Sequence, residues 1–544
     1  MKKILSAVLA LLIAALALTS CGQQGSTADK PLRISMISDI TALDPAFAYD
    51  GPTISVILQV TEGILRLNAD GSISPQLAKD WEAKDELTYV YNMRDDVCFS
   101  DGSPMTMEDV LYSLNRYRDE NVASYLAWMY DNVESIEQTG DWQFTVKLFE
   151  PDATWQYVFS TAAGHVVKKS YCEEKGDDFG KPSGLIIGTG PYKVDEWVIG
   201  TEVKLSRNEN YWDKTYADNE DVVDNVEFVV ISDDTTRIQE LTNGNIDMDT
   251  MLPAELIPTV REAENTDVLL KDSTNFIMLA FNCEVAPFND VNVRRAVASV
   301  VDKQSIASGI VGEVGEAATA LPMGKMLYTY DPDGWESYAA SQKGIEYSVE
   351  NAKNYLAQSA YPDGFDCNLM VDEQNMNVSI ALALQSALKE IGINVNIEKV
   401  SQDELINCEF GGDINPDGTR NFEMGLFEWE SDYSDMSGNV MGIFYSGFMG
   451  EGGSNVPSYS NPEVDALLES QQASIDPAER EKLLQQALDI ITDEVPIVPI
   501  AYTYYKIGYN KAITDGVDIL TWAFYVKDIR IDNMSCHPDH FVVK

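Results

Sequence analysis

The side chains able to do covalent or metal chemistry are few and poorly placed for it. Only three histidines occur in 544 residues, His165, His537 and His540, so a Ser-His-Asp or Cys-His centre has little choice of base. Neither a Gly-x-Ser-x-Gly elbow nor a His-Glu-x-x-His helix is present. Cys536-His537-Pro538-Asp539-His540 offers soft ligands, but Pro538 breaks helical spacing and the group lies in a terminal tail, so no metal is expected there. Asp413-x-Asn415-x-Asp417-Gly418 begins like a calcium loop. Pro416 intrudes, however, and the twelfth position is Met424 instead of a bidentate glutamate, which leaves a β-hairpin turn as the expectation. Carboxylate pairs such as Glu428 and Glu430 raise a glycoside hydrolase as the rival from the enzyme class. Along a strand the two share a face as neighbours and do not oppose each other across a substrate. No catalytic residue, metal or cofactor is expected.

The cysteine best placed for chemistry is Cys21. Lys2 and Lys3 give a positive start, Ile4 to Leu18 an apolar run, and Leu18-Thr19-Ser20 lead into Cys21. The run is shorter than the roughly 20 apolar residues of a spanning helix and ends in small residues, the pattern of an export signal over residues 1–20. Leu-Thr-Ser-Cys also resembles the lipobox of bacterial lipoproteins, which implies diacylglycerol on the Cys21 thiol and an anchor on the extracytoplasmic face of the cell membrane. Residues 21–30, polar and without a large apolar side chain after Cys21, then read as a flexible tether.

With 88 acidic against 38 basic residues, the net charge of −50 excludes a nucleic-acid partner and disfavours adsorption to anionic headgroups. Cys98, Cys172, Cys283, Cys367, Cys408 and Cys536 are even in number and could pair after export, yet none forms a CxxC, and free thiols fit equally well.

The elements that must position any site are strands and helices in irregular alternation. Leu87, Tyr89, Tyr91 and Met93 alternate with less apolar neighbours, as do Phe144, Val146 and Leu148, and Ile393, Val395 and Ile397; each set predicts a strand. Thr106 with Asp109 three residues on, ahead of Val110, Leu111 and Leu114, predicts a capped helix. Asp476 and Pro477 start another, with Leu483, Leu484, Ala487, Leu488 and Ile491 along one face. The class is mixed α/β with several domains.

Several stretches, in one order along nearly the whole chain after the signal, resemble the ABC-importer binding proteins for oligopeptides, dipeptides and nickel complexes (extracellular solute-binding proteins, family 5). They include Leu43-Asp44-Pro45-Ala46, Gln59 to Arg66, Leu77 to Trp81, Met93 to Pro104, Ser113-Leu114-Asn115-Arg116, and Gly188-x-Gly190-Pro191-Tyr192 with Arg207-Asn208 and Tyr211-Trp212. Phe281-Asn282, Pro287 to Asp290, Val293 to Val297, Asn461 to Asp465 and Pro496 to Pro499 follow. Most of these residues read as scaffold: Gly188-x-Gly190-Pro191 and Phe99 to Gly102 as turns, and Asn461-Pro462 as a helix start. The resemblance implies a two-lobed periplasmic-binding-protein-like fold (type II, cluster C) with an additional domain on the first lobe. Its expected divisions are lobe I over 31–70, 187–275 and 515–544, the additional domain over 71–186, and lobe II over 276–514. It further implies a monomeric receptor that delivers a peptide-like solute to a membrane permease with its cytoplasmic ATPase.

By the same resemblance, Phe427 to Asp435 contains the family's Trp-x-x-Asp segment. Asp432 is expected to pair with the ligand's α-ammonium, with Trp429 as a wall and Tyr433 beside it. Phe47 and Tyr49, in the loop after Leu43-Asp44-Pro45, and Asn282 are candidate further contacts. Peptide binders of this family can carry an arginine for the ligand carboxylate after the strand at Leu369 to Val371; here that stretch is Asp372 to Asn377, with no arginine, and Leu426 stands where some relatives have another. Receptors for a nickel complex or an oligosaccharide, and a peptide-signal sensor, remain alternatives.

Overall fold

The structure is a computed structural model and describes residues 31–68, 72–214, 223–319, 321, 324, 327, 330–342, 344–431 and 435–511, with the backbone of 517–522 and 525–531. The expected signal segment 1–20, the expected tether 21–30 with Cys21, Asp432, Tyr433, and the side chains of 515–544 lie outside the described residues.

In chain order the elements that build the site are β1 (Leu32–Met36) and α1 (Gly51–Val60), then β2 (Ala78–Asp85), β3 (Thr88–Met93), α2 (Met107–Arg116), β4 (Val133–Gly140) and β5 (Gln143–Leu148). Next come β6 (Tyr192–Val198), β7 (Glu202–Arg207), β8 (Asn225–Val230), β9 (Met248–Asp249) and β10 (Thr266–Phe281). The later chain supplies β11 (Phe365–Val371), α3 (Asn375–Lys389), β12 (Ile393–Lys399), α4 (Gln402–Glu409) and β13 (Met424–Trp429). It ends with α5 (Met436–Phe444), α6 (Pro462–Ala473), α7 (Pro477–Glu494) and β14 (Ile497–Asn510).

The fold is mixed α/β. Strands run β12-β11-β13-β10-β14-β9-β1-β8-β7-β6 in one sheet, and β2-β3-β5-β4 form a smaller antiparallel one. The large sheet has a waist. Residues 266–272 of β10 pair with 504–510 of β14 on the side of β9 and β1, whereas residues 276–280 pair with 497–502 on the side of β13, and the register breaks between Asp272 and Phe276. Ser273 stitches this bulge: its hydroxyl donates to Thr503 O (2.6 Å) and accepts from Asn275 N (2.9 Å). Two antiparallel strands therefore carry the chain between the halves of a two-lobed molecule.

The capping box predicted at Thr106 and Asp109 is present, with Thr106 Oγ1 accepting from Asp109 N and Asp109 accepting from Thr106 N. Asp476 and Asn461 cap α7 and α6, and Leu484, Ala487, Leu488 and Ile491 are buried, with Leu483 half-buried. Tyr89, Tyr91, Met93, Phe144, Val146 and Leu148 are buried as expected. Leu87 is not: it lies in the β2–β3 turn and is 38 % exposed. Asp413 to Gly418 forms the expected hairpin turn, with Ile414 bridged to Arg420. The turn expected at Gly188 does not use glycine for a left-handed backbone. Neither Gly188 nor Gly190 has positive φ; instead a Cβ at Gly188 would sit 1.8 Å from Val60 O, so glycine lets the turn lie flush on the end of α1. Val56 and Val60 of α1 pack into one core and Ile54 and Ile57 into the core of the smaller sheet, which locks the two together. The Asp44 and Arg116 motifs also prove to be one feature: Arg116 Nη1 donates to Asp44 Oδ1 at 2.7 Å in a buried ion pair. Cys98, Cys172, Cys283, Cys367 and Cys408 are free thiols. Among the described residues no helix is long and apolar enough to cross a membrane.

Candidate ligand-binding site

β13 ends at the waist. Its pairing sets Trp429 opposite Phe276, the first residue beyond the bulge. Because side chains alternate along a strand, Phe427 and Trp429 pack on the face of α5, α6 and α7, while Leu426 and Glu428 lie on the opposite face with α3. The indole is held firmly. Trp429 Nε1 donates to Asn439 Oδ1 on α5 (3.0 Å), Phe410 lies 6.2 Å away ring to ring, and a Cβ at Gly442 would approach the indole to 2.9 Å. Trp429 is a fixed wall.

Both ends of the short segment that follows are anchored. Tyr505 donates its hydroxyl to Glu430, and Ser431 is 1 % exposed. On the far side Asp435 caps α5 through Ser437 N (2.9 Å) and takes two hydrogen bonds from Arg480 of α7, at 3.0 and 2.8 Å. Burial would raise the Asp435 carboxyl, but Arg480 and the bonds from Ser437 outweigh it and hold the group below its ordinary range. Arg480 also reaches across to the smaller sheet's unit. Its field acts on Asp152, whose carboxyl burial drives upward, and Asp152 and Ala153 contact α6: Ala153 N donates to Gln472 O at 2.9 Å and Gln472 Nε2 donates to Asp152.

On the other face of β13 lies a group of acceptors. Asn377 Nδ2 donates to Glu428 Oε1 (2.9 Å) and Asp372 Oδ2 (3.1 Å), and Asp372 also takes Gln374 N (3.0 Å) and Gln374 Nε2 (2.9 Å). Close by, burial lowers the Lys506 ammonium against the pull of Glu428 and Glu430. Burial, then the charge of Glu428, pushes Glu409 up to about 8, against Arg420. Glu409 is therefore neutral in the fold and ionised when unfolded over the window from its ordinary 4.5 up to about 8. Stability is lost as pH rises through that window. Glutamine copies the neutral acid, so Glu409→Gln is expected to raise stability at pH 8.5 by about 1 kcal/mol or more, with the gain vanishing towards pH 4.5 in denaturant melts; a gain independent of pH would contradict the assignment.

The remaining sequence candidates fall elsewhere. Phe47 closes a turn capped by Asp44, half-buried against the smaller core, with Tyr125 edge-on at 5.3 Å; Tyr49, 55 % exposed, meets the same Tyr125 ring edge-on at 5.1 Å. Tyr125 joins the two into one aromatic ridge, which local sequence did not suggest. Asn282 is fully buried at the far end of β10, about 20 Å along the strand from the residue opposite Trp429. Its Nδ2 donates to the carbonyls of Arg420 and Phe422, both at 3.0 Å, and its Oδ1 accepts from Glu284 N. Its amide is thus spent on holding a loop. Arg480, Asn377 and Asn275 were missed because each meets a carboxylate 45 or more residues away in sequence, Asp435 for Arg480 and Glu428 for the two asparagines.

With this geometry in place, comparison with known proteins is specific. The profile of the family described as bacterial extracellular solute-binding proteins, family 5 Middle, matches residues 72–451. The oligopeptide-binding protein OppA of Bacillus subtilis (strain 168) is 27 % identical, covering 92 % of this chain and 94 % of its own. The probable deoxycholate-binding periplasmic protein YgiS of Escherichia coli (strain K12) is 26 % identical, over 86 % of each chain. Among solved structures, the ABC transporter substrate-binding protein CtaP from Listeria monocytogenes superposes with a TM-score of 0.78 at 20 % identity, covering 92 % of this chain and 98 % of that one.

Proposed function

Since the chain belongs to the bacterial extracellular solute-binding proteins of family 5, a family of receptors and not of enzymes, we propose that it is the lipid-anchored receptor of an ABC importer that closes on a peptide-like solute. In this reading residues 31–70, 187–275 and 515–544 form the first lobe, 71–186 the additional domain and 276–514 the second lobe. β10 and β14 act as the hinge, and the ligand stabilises the closed state by bridging both sides.

The observation that carries the reading is the anchored segment at the waist. Trp429 is fixed by Asn439 and Asp435 by Arg480, so both flanks of the Trp-x-x-Asp segment are anchored beside the waist. Asp432 would there receive the ligand's α-ammonium, with Trp429 and Tyr433 flanking the peptide and Phe47 and Tyr49 approaching from the first lobe. A charge-assisted bond in a closed cleft contributes about 1.5–3 kcal/mol.

The test is the identity of the solute that co-purifies with the protein. Mass spectrometry of material released by denaturation is expected to give intact amine-bearing peptides; a hydrolysed product, or a solute without an amine, contradicts the proposal. The anchor has its own test. Cys21→Ser is expected to leave the protein unprocessed or released from the membrane, and normal processing with full membrane retention in a fractionation blot contradicts lipid attachment.

A further inference from the structure

The acceptor group behind β13 is larger than one α-ammonium pocket requires. Asn377, in the first turn of α3, is 1 % exposed. A carboxylate only accepts, so the NH2 that donates to Glu428 and Asp372 fixes which end of the Asn377 amide is oxygen. That oxygen is buried and has no donor. Asn275, on the face of β10 that carries Ile277 and hence Glu428, repeats the pattern: Nδ2 lies 3.5 Å from Glu428 Oε2, and its buried Oδ1 also lacks a donor. Two carboxylates and two amide oxygens are thus gathered with both NH2 groups already turned toward acids.

Leaving a buried acceptor unsatisfied costs about 1–3 kcal/mol. Among the described residues no cation donates to Glu428 or Asp372, although Lys506 lies close enough to feel the charge of Glu428. Lys506 Nζ donates to Tyr504 O at 3.3 Å, and Arg420 donates to the carbonyls of Cys408, Glu409 and Gly453, each at 2.7 Å. An ammonium brings three donors and a guanidinium five, each with a positive charge to set against Glu428 and Asp372.

We propose that Asp372, Asn377, Glu428 and Asn275 form a subsite for a second cationic group of the ligand, the ammonium or guanidinium of a lysyl or arginyl side chain. The inference rests on the peptide reading of the cleft and makes the receptor selective for basic peptides. The missing arginine after β11 is then part of the specificity: the stretch that could hold a carboxylate supplies Asp372 and Asn377 instead.

The test titrates the mature protein calorimetrically with Ala-Ala-Lys amide and Ala-Ala-norleucine amide, which share a free α-amine and an aliphatic stem and differ in the terminal ammonium. The lysyl peptide is expected to bind at least tenfold more tightly. In Glu428→Gln the two should fall within threefold of each other while the norleucyl affinity stays at its wild-type value, which also shows the variant folded. Equal wild-type affinities overturn the subsite and leave the peptide reading standing. If neither peptide binds, the peptide reading falls and spermidine decides: binding that Glu428→Gln weakens tenfold keeps the cation subsite, and no binding overturns it.

Discussion

Replacing Arg480 by alanine is expected to destabilise the half of the molecule that contains α5 to α7 by about 3–5 kcal/mol, the cost of breaking a buried ion pair from one side. Both side chains are nearly enclosed, at 11 % exposure for Arg480 and 10 % for Asp435. Removing the guanidinium leaves a buried carboxylate whose remaining support is Ser437. The sign with pH follows from the lowered Asp435 carboxyl. A group held below its unfolded value stabilises the fold above that value and loses the contribution as pH falls through the folded one. The gap between wild type and Arg480→Ala should therefore be full above pH ~4 and narrow below it. Denaturant melts across that range check this; a gap under 1 kcal/mol at pH 7 contradicts a structural role for the pair. Ligand affinity should fall as well, because Asp435 bounds the segment that carries Asp432.

The second large effect is on binding. Asp432→Ala is expected to weaken capture of free-amine peptides at least tenfold, in line with about 1.5–3 kcal/mol for a charge-assisted bond, with little change in the melt. That contrast would separate the two residues, Arg480 acting through the fold and Asp432 through the ligand. An Asp432 variant that binds peptides as wild type does would move the ammonium pocket elsewhere, and the Glu428 side of β13 would be the next candidate.

What sequence reveals here divides by the distance between partners. Caps are local, so Thr106 with Asp109, Asp476 and Asn461 could be read from three or four residues each. Leu87 shows the limit of alternation: the period runs on through it, but the chain is already turning. The waist is beyond such reading, since its bulge is stitched by a bond between Ser273 and Thr503, 230 residues apart. Asp44 and Arg116 stand in two separate motifs and become one ion pair only in the fold. Asn282 stands in the sequence as a candidate ligand contact, and only the fold shows its amide committed to the Arg420 and Phe422 carbonyls. The stretch Asp372 to Asn377 was noted for the arginine it lacks. What it does have, Asn377 at the start of α3 bridging Asp372 to Glu428, depends on β11 lying beside β13.

The most direct measurement is calorimetric titration of the wild-type mature protein with one peptide pool in two forms, free at the α-amine and N-acetylated. Saturable binding of the free form, at least tenfold tighter than the acetylated form, is the predicted result. Equal affinity for the two forms, or no binding of either, would contradict a receptor that holds its solute by the α-ammonium at the waist.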